Sequence, residues 1–413
     1  MRIKKKVILG VSMIIAFVLS GQFILYILTP KPEPPLGSID SRICQIMTDY
    51  KIPSLAAGII VNDSIIWAKN FGEQNESDTV FMIGSITKTF TAVAVLQLVE
   101  RNLIKLDDDI NDYIPFNVRN PEFPMRNITV RMLLTHYSGI APNLIWSLEY
   151  YLHKDMILWI NDNLGWDITI WDSRPSLEEF LNGSFTPGGE FYDSYNYYIE
   201  PAIEFLYSNA GFQLLGYLVE QVVNQSLEEY IEENIFDPLN MTNTGYYFEE
   251  FIDKHATPYE WKNQTTIALP LYNINVTGAG SIKSSLPDMM KYLMAMMHQG
   301  EYNGIKILNT ESVDLMHSRQ VYTTGTSVEG FDYGGYGLGW FLYRGGFKGH
   351  GGATPGYSSH LYFKKTEDVP FGVILMFNRG TALLRDDILI NEIIPILNSI
   401  ILEEAEKLYN TYS

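Results

Sequence analysis

Residues 81–92 read FMIGSITKTFTA. A serine, Ser85, stands three residues before a lysine, Lys88, and apolar residues flank both. From Ser85 to Arg101 the apolar positions repeat at helical spacing, with Phe90, Val93, Ala94 and Leu98 on one face. On such a helix Lys88 lies one turn past Ser85, on the same side. A serine hydroxyl is a weak nucleophile until a base takes its proton. An amine serves as that base only when neutral, and burial beside Phe81, Ile83 and Phe90 favours the neutral form. N–H groups at the helix start face any oxyanion that develops there. Alone, S-x-x-K is a weak signal, arising about once by chance at this length.

Two further elements strengthen the reading. Tyr207-Ser208-Asn209 falls in FLYSNAGFQLLG, just before a helical run. A tyrosine hydroxyl near Ser85 relays a proton to a leaving group, and the Asn209 amide holds a substrate carbonyl. GHGGATPGY, residues 349–357, reads as a segment just ahead of a strand. Its small residues let a substrate backbone approach a strand edge. The Ala353 N–H is placed to pair with that of Ser85 as an oxyanion hole.

In this order the three elements resemble the serine β-lactamase and penicillin-binding protein superfamily, whose pattern is S-x-x-K, then Y-x-N or S-x-N, then K-T-G. The Tyr-Ser-Asn form resembles the class C β-lactamases and related esterases and D-amino-acid peptidases. ITVRMLLTHYSGI, YIEENIFDPLNMTNT and GAGSIKSSLPDMMKYL extend the resemblance over roughly residues 40 to 380. It implies Ser85 as the acylated nucleophile, Lys88 as its base partner and Tyr207 as a second proton-transfer group. It implies Asn209, His350, Gly352 and Ala353 as substrate-binding positions, with the oxyanion hole on the backbone of Ser85 and Ala353. His136, in LLTHYSG, matches a structural position. His350-Gly351-Gly352 departs from the pattern by standing where K-T-G would. Histidine is mostly neutral at pH 7, which weakens the case for penicillin-like carboxylates.

The activity implied is a serine hydrolase that opens an amide, ester or β-lactam bond through an acyl-enzyme. Its partner is then a small-molecule or peptide-like substrate with a carbonyl. A catalytically inactive binding or scaffolding protein on the same fold is the alternative.

The 413 residues are 46% hydrophobic and carry a net charge of −19, enough apolar material for a sizeable core. An acidic surface repels nucleic acid, so no nucleic-acid partner is expected. The single cysteine, Cys44, excludes an internal disulfide and reads as a small buried hydrophobe. The histidines form no H-E-x-x-H or other close ligand pair, and no metal or cofactor is expected.

Arg2, Lys4, Lys5 and Lys6 precede an uncharged apolar run over residues 7–28, long enough to cross a bilayer. This predicts a membrane anchor over residues 1–30, with its basic tip cytoplasmic and the rest of the chain outside. Secretion after signal cleavage is the alternative. Sequons beginning at Asn62, Asn75, Asn127, Asn182, Asn224, Asn240, Asn263 and Asn275 point to an exported glycoprotein.

Residues 31–38 read as a Pro-rich linker, 39–400 as the hydrolase domain and 401–413 as a tail. Within the domain, 141–205 reads as an insertion at the cleft. A hairpin is expected over 54–72 around an Asn-Asp turn. Strands return from Tyr336 onward, with helices between and a closing helix from Asp386. The fold class is therefore α+β, resembling an α/β sandwich. The resemblance adds an antiparallel sheet of N- and C-terminal strands, flanked by helices, with a mostly helical subdomain.

Overall fold

Asn62 and Asp63 turn the chain between β1 (Ser54–Val61) and β2 (Ser64–Gly72), with Asn62 at φ 52°. The computed structural model describes residues 37–141, 150–262, 264–323, 332–365, 369–380, 382–384 and 386–412. β1 is buried along its whole length. Leu55, Ala57, Ile59 and Val61 enter one apolar cluster, while Ala56 and Ile60 enter another. Alternate side chains leave a strand on opposite faces, so an unbroken apolar run marks a strand covered on both.

Among the described residues the covered sheet has seven antiparallel strands. The C-terminal strands are β3 (Tyr333–Tyr336), β4 (Phe341–Tyr343), β5 (Phe347–Thr354), β6 (Tyr357–Lys364) and β7 (Phe371–Phe377). They run in sequence, and β1 and β2 then join the edge of β7, with Leu55 opposite Phe377. The two ends of the chain therefore close one sheet, as the sequence predicts.

Helices α1 (Ile39–Tyr50) and α5 (Ile394–Tyr412) cover one face, burying Ile43, Ile46, Leu397 and Ile400 against the first cluster. α4 (Leu286–Met297) covers the other, against β1, β6 and β7. Beyond it lies a mostly helical region centred on α2 (Thr87–Glu100) and α3 (Asn209–Val223). One face of α2 was expected to be buried, but every residue from Thr87 to Leu98 is. A helix apolar on all sides sits inside a core rather than on it.

Other readings need correction. GHGGATPGY does not precede a strand: residues 349–354 lie within β5, with His350 opposite Leu361. Cys44 is exposed on α1, not buried. α5 runs through residues 401–412, the stretch read as a tail. The stretch read as an insertion contains helices Lys154–Leu164 and Leu177–Phe185, with Tyr150 stacked on Phe180 at 3.8 Å. Trp146 lies outside the described residues.

The membrane anchor is also corrected. Among the described residues no helix is long and apolar enough to cross a membrane, and the 7–28 run lies outside the described residues. The anchored localisation is accordingly dropped. Among the described residues two sequon side chains are engaged within the fold: Asn275 donates its Nδ2 to Tyr150 O at 2.7 Å, and Asn182 Oδ1 accepts from Thr186 Oγ1 at 2.7 Å.

Candidate active site

The short strand Val80–Met82 pairs with Lys283–Ser285 and aims the chain at the head of α2. Gly84, at φ 52°, turns it into a 3-10 segment, Gly84–Ile86, that runs directly into α2. That turn sets Ser85, half-buried, one helical turn before Lys88. Lys88 Nζ lies 3.0 Å from Ser85 Oγ and donates to Ala279 O at 2.8 Å. The lysine is fully buried. Burial alone pushes its pKa well below the usual lysine range, and among the described residues no carboxylate pairs with it. A neutral amine can donate to Ala279 O and still turn its lone pair toward the serine hydroxyl.

Tyr207 is brought to the same place. Lys88 Nζ sits 4.9 Å from the centre of its ring and 5.8 Å from that of Phe212. The ring stacks on Phe341 and packs against His136 at 4.2 Å. His136 holds the segment on both sides of Tyr207. Its carbonyl accepts from Leu206 N at 2.7 Å, and its Nδ1 accepts from Ser208 N at 3.0 Å. Burial, then Lys88, then His350 keep this imidazole well below its ordinary pKa. A neutral ring with a free Nδ1 lone pair is the form that can accept. Ser208 caps α3 by accepting from Gly211 N at 3.1 Å and anchors the turn by donating to Ala141 O at 2.8 Å. Asn209, the first residue of α3, is thereby set beside Tyr207.

β5 passes against the opposite side of Ser85. A Cβ on Gly352 would come within 2.0 Å of Ile83 O, so only glycine permits this approach. Ser359 on β6 donates to the same Ile83 O at 2.7 Å. A Cβ on Gly84 would stand 2.9 Å from Ala353 N, which places the backbones at Ser85 and Ala353 side by side. Ala353 itself is exposed.

The structure thus brings Ser85, Lys88, Tyr207 and Ala353 together. Gly352 packs on the chain before Ser85. His350 is 1% exposed, with Nδ1 2.6 Å from Gly351 O and its ring 5.1 Å from that of Phe341. It lies beneath the site rather than on its rim. Sequence reasoning missed the loop that holds Lys88. Thr91 Oγ1 donates to Gly278 O at 2.8 Å, and Gln213 accepts from Gly278 N at 3.2 Å. Its one signal was the run of small residues GAGS, since a Cβ on Gly278 would meet Phe212 O at 2.4 Å.

Comparison with known proteins gives the family and the fold. The family model described as Beta-lactamase matches residues 39–392. Beta-lactamase-like protein 2 of Dictyostelium discoideum is 27% identical over 283 residues, 65% of this chain and 47% of that protein. Penicillin-binding protein 4* of Bacillus subtilis (strain 168) is 25% identical over 309 residues, 69% of this chain and 58% of that protein. The chain thus matches about half the length of these relatives. Among solved structures, the octameric penicillin-binding protein homologue from Pyrococcus abyssi superposes with a TM-score of 0.67 at 28% identity, covering 82% of this chain and 72% of that one. D-amino acid amidase from Ochrobactrum anthropi SV3 shares the fold, with a TM-score of 0.64 at 20% identity over 91% of this chain and all of its own. With its sheet closed by both chain ends and more than half its length matched, the chain belongs to the Beta-lactamase family.

Proposed function

We propose that this protein is a serine hydrolase that cleaves an ester or amide through an acyl-enzyme on Ser85. The observation that carries this reading is the fully buried Lys88 amine, 3.0 Å from Ser85 Oγ and with no counter-charge among the described residues to keep it protonated. In the first step Ser85 Oγ attacks the substrate carbonyl carbon while Lys88 Nζ takes the hydroxyl proton. Charge on the carbonyl oxygen is met by the N–H groups of Ser85 and Ala353. As the tetrahedral adduct collapses, the carbonyl carbon–heteroatom bond breaks. Tyr207 passes a proton to the departing nitrogen or oxygen and regains one from Lys88. Water then attacks the acyl carbon, gives its proton to the same pair of groups, and releases the acid with Ser85 restored.

The preferred substrate is one without an anionic group at the β5 edge. A lysine at the third motif would supply a permanent cation, but the group here is a histidine turned inward under Phe341. Turnover of nitrocefin, p-nitrophenyl esters and D-amino-acid amides by the wild type and Ser85→Ala tests this. Ester or amide turnover that is lost in the variant is expected. Ligand binding without turnover by either protein would identify an inactive binding protein instead.

A further inference from the structure

A cavity of about 300 Å³ is lined by residues other than those of the candidate active site. The insertion supplies Tyr150 and Arg174 to it, α3 supplies Glu220, and Glu228 and Tyr246 close it. Thr277 and Ser281 also line it, and the segment between them presents Ala279 O to Lys88. Its volume falls at the lower end for small-ligand sites.

The charges in this cavity are divided. Burial raises the Tyr150 phenol, Arg174 draws it back, and Glu220 and Glu228 raise it further. Tyr150 therefore shares the cavity wall with a guanidinium and two carboxylates. Among the described residues no ion pair joins them. Arg174 donates to Leu152 O at 2.6 Å, and Glu220 accepts from Leu227 N at 3.4 Å. Burial and then Glu228 push Glu220 up to about 7. Tyr246, 4% exposed, has a hydroxyl with no hydrogen-bond partner among the described residues, and burial, then Glu228 and Glu220, raise its pKa. Glu228 accepts from the Tyr247 hydroxyl, but neither carboxylate has a counter-ion among the described residues, so a cationic group here would favour their charged forms. A metal ion does not fit. Arg174 opposes a bare cation, and among the described residues no three metal-ligating side chains of the His, Cys, Asp and Glu types gather.

We propose that this cavity binds a small zwitterion of amino-acid or dipeptide size, with its ammonium on Glu220 and Glu228 and its carboxylate on Arg174. Tyr246 accepts from the ammonium at the carboxylate end. Arg174 offers the carboxylate a fork of parallel N–H donors. The site is separate from Ser85, and the proposal does not rest on the chemistry assigned there.

The test is isothermal titration of the wild type and Ser85→Ala with alanine and alanylalanine of both configurations, N-acetylalanine and alaninamide. Saturable binding of at least one zwitterion is expected, about equal in the two proteins. N-acetylalanine, which lacks the ammonium, and alaninamide, which lacks the carboxylate, are expected to bind about tenfold more weakly or worse. Glu220→Gln and Arg174→Met should each weaken the zwitterion about tenfold. Thermal melts check that both fold. If either does not, Tyr246→Phe, which deletes one hydroxyl, carries the test with an expected weakening of about threefold. The proposal is overturned if no zwitterion saturates at concentrations on the order of 10 mM, if the folded variants bind as the wild type does, or if Ser85→Ala abolishes binding.

Discussion

Replacing Lys88 with methionine separates the charge state of the amine from its role in the reaction. The side chain is fully buried, and burial alone depresses its pKa well below the usual lysine range. In the unfolded chain the same amine titrates near 10.4. Between the depressed folded value and about 10.4 the unfolded state therefore binds one more proton than the folded state, and stability rises with pH. The slope for one group is about 1.4 kcal/mol per pH unit. From pH 7 to pH 9 the wild type should then gain stability relative to Lys88→Met, which has no proton to release, by up to about 1.4 kcal/mol per pH unit over the range where the folded amine is neutral. Lys283, also buried and depressed to about 7, is present in both proteins and cancels in the comparison. Methionine fills a similar volume, so the variant should fold and should be the more stable of the two at pH 7. Urea denaturation at pH 7, 8 and 9 measures the effect. Parallel stability curves would mean that Lys88 is protonated in the folded protein, and the base assignment would fail with it.

Four further outcomes follow from the same geometry. Tyr207→Phe should lower kcat about 10²- to 10⁴-fold with little change in melting temperature, because only the proton-transfer hydroxyl is removed. His136→Ala leaves the buried Ser208 N–H without its acceptor and should cost about 1–3 kcal/mol in urea denaturation, along with much of kcat. His136→Asn should recover most of the lost kcat, since asparagine keeps a nearby acceptor and tolerates the φ of 57° at this position. Gly352→Ala would drive a Cβ to within 2.0 Å of Ile83 O, so it should destabilise the fold by about 1–3 kcal/mol and lower acylation, measured by denaturation and by burst kinetics.

Much of this was legible because local chemistry and global fold agree. The hairpin at Asn62-Asp63 and the helical run that follows Tyr207-Ser208-Asn209 each announce themselves within a few residues. β5 did not, because its glycines are needed for close approach to Ile83 and β6, and glycine is what sequence patterns read as a turn. The short strands Val80–Met82, Thr244–Gly245 and Lys283–Ser285 escaped for a different reason. Each is two or three residues long and exists only through its pairing with segments far away in the chain. Cys44 was misplaced because a helix of moderate apolar content does not show which side meets the sheet. At the site, Ser85, Lys88 and Tyr207 could be named from motifs, but their surroundings could not. That Ala279 O holds the lysine, that His136 clamps both sides of Tyr207 and that His350 points inward are all contacts across long sequence separations.

The central claim is that a neutral Lys88 makes Ser85 nucleophilic. Reaction of the purified protein with a fluorophosphonate, followed by peptide mass mapping of wild type, Lys88→Met and Ser85→Ala, tests it most directly. The account predicts one adduct on Ser85 in the wild type, formation at least 10²-fold slower in Lys88→Met, and none in Ser85→Ala. An unlabelled Ser85 in folded wild type, or equal labelling rates with and without the lysine, would contradict it.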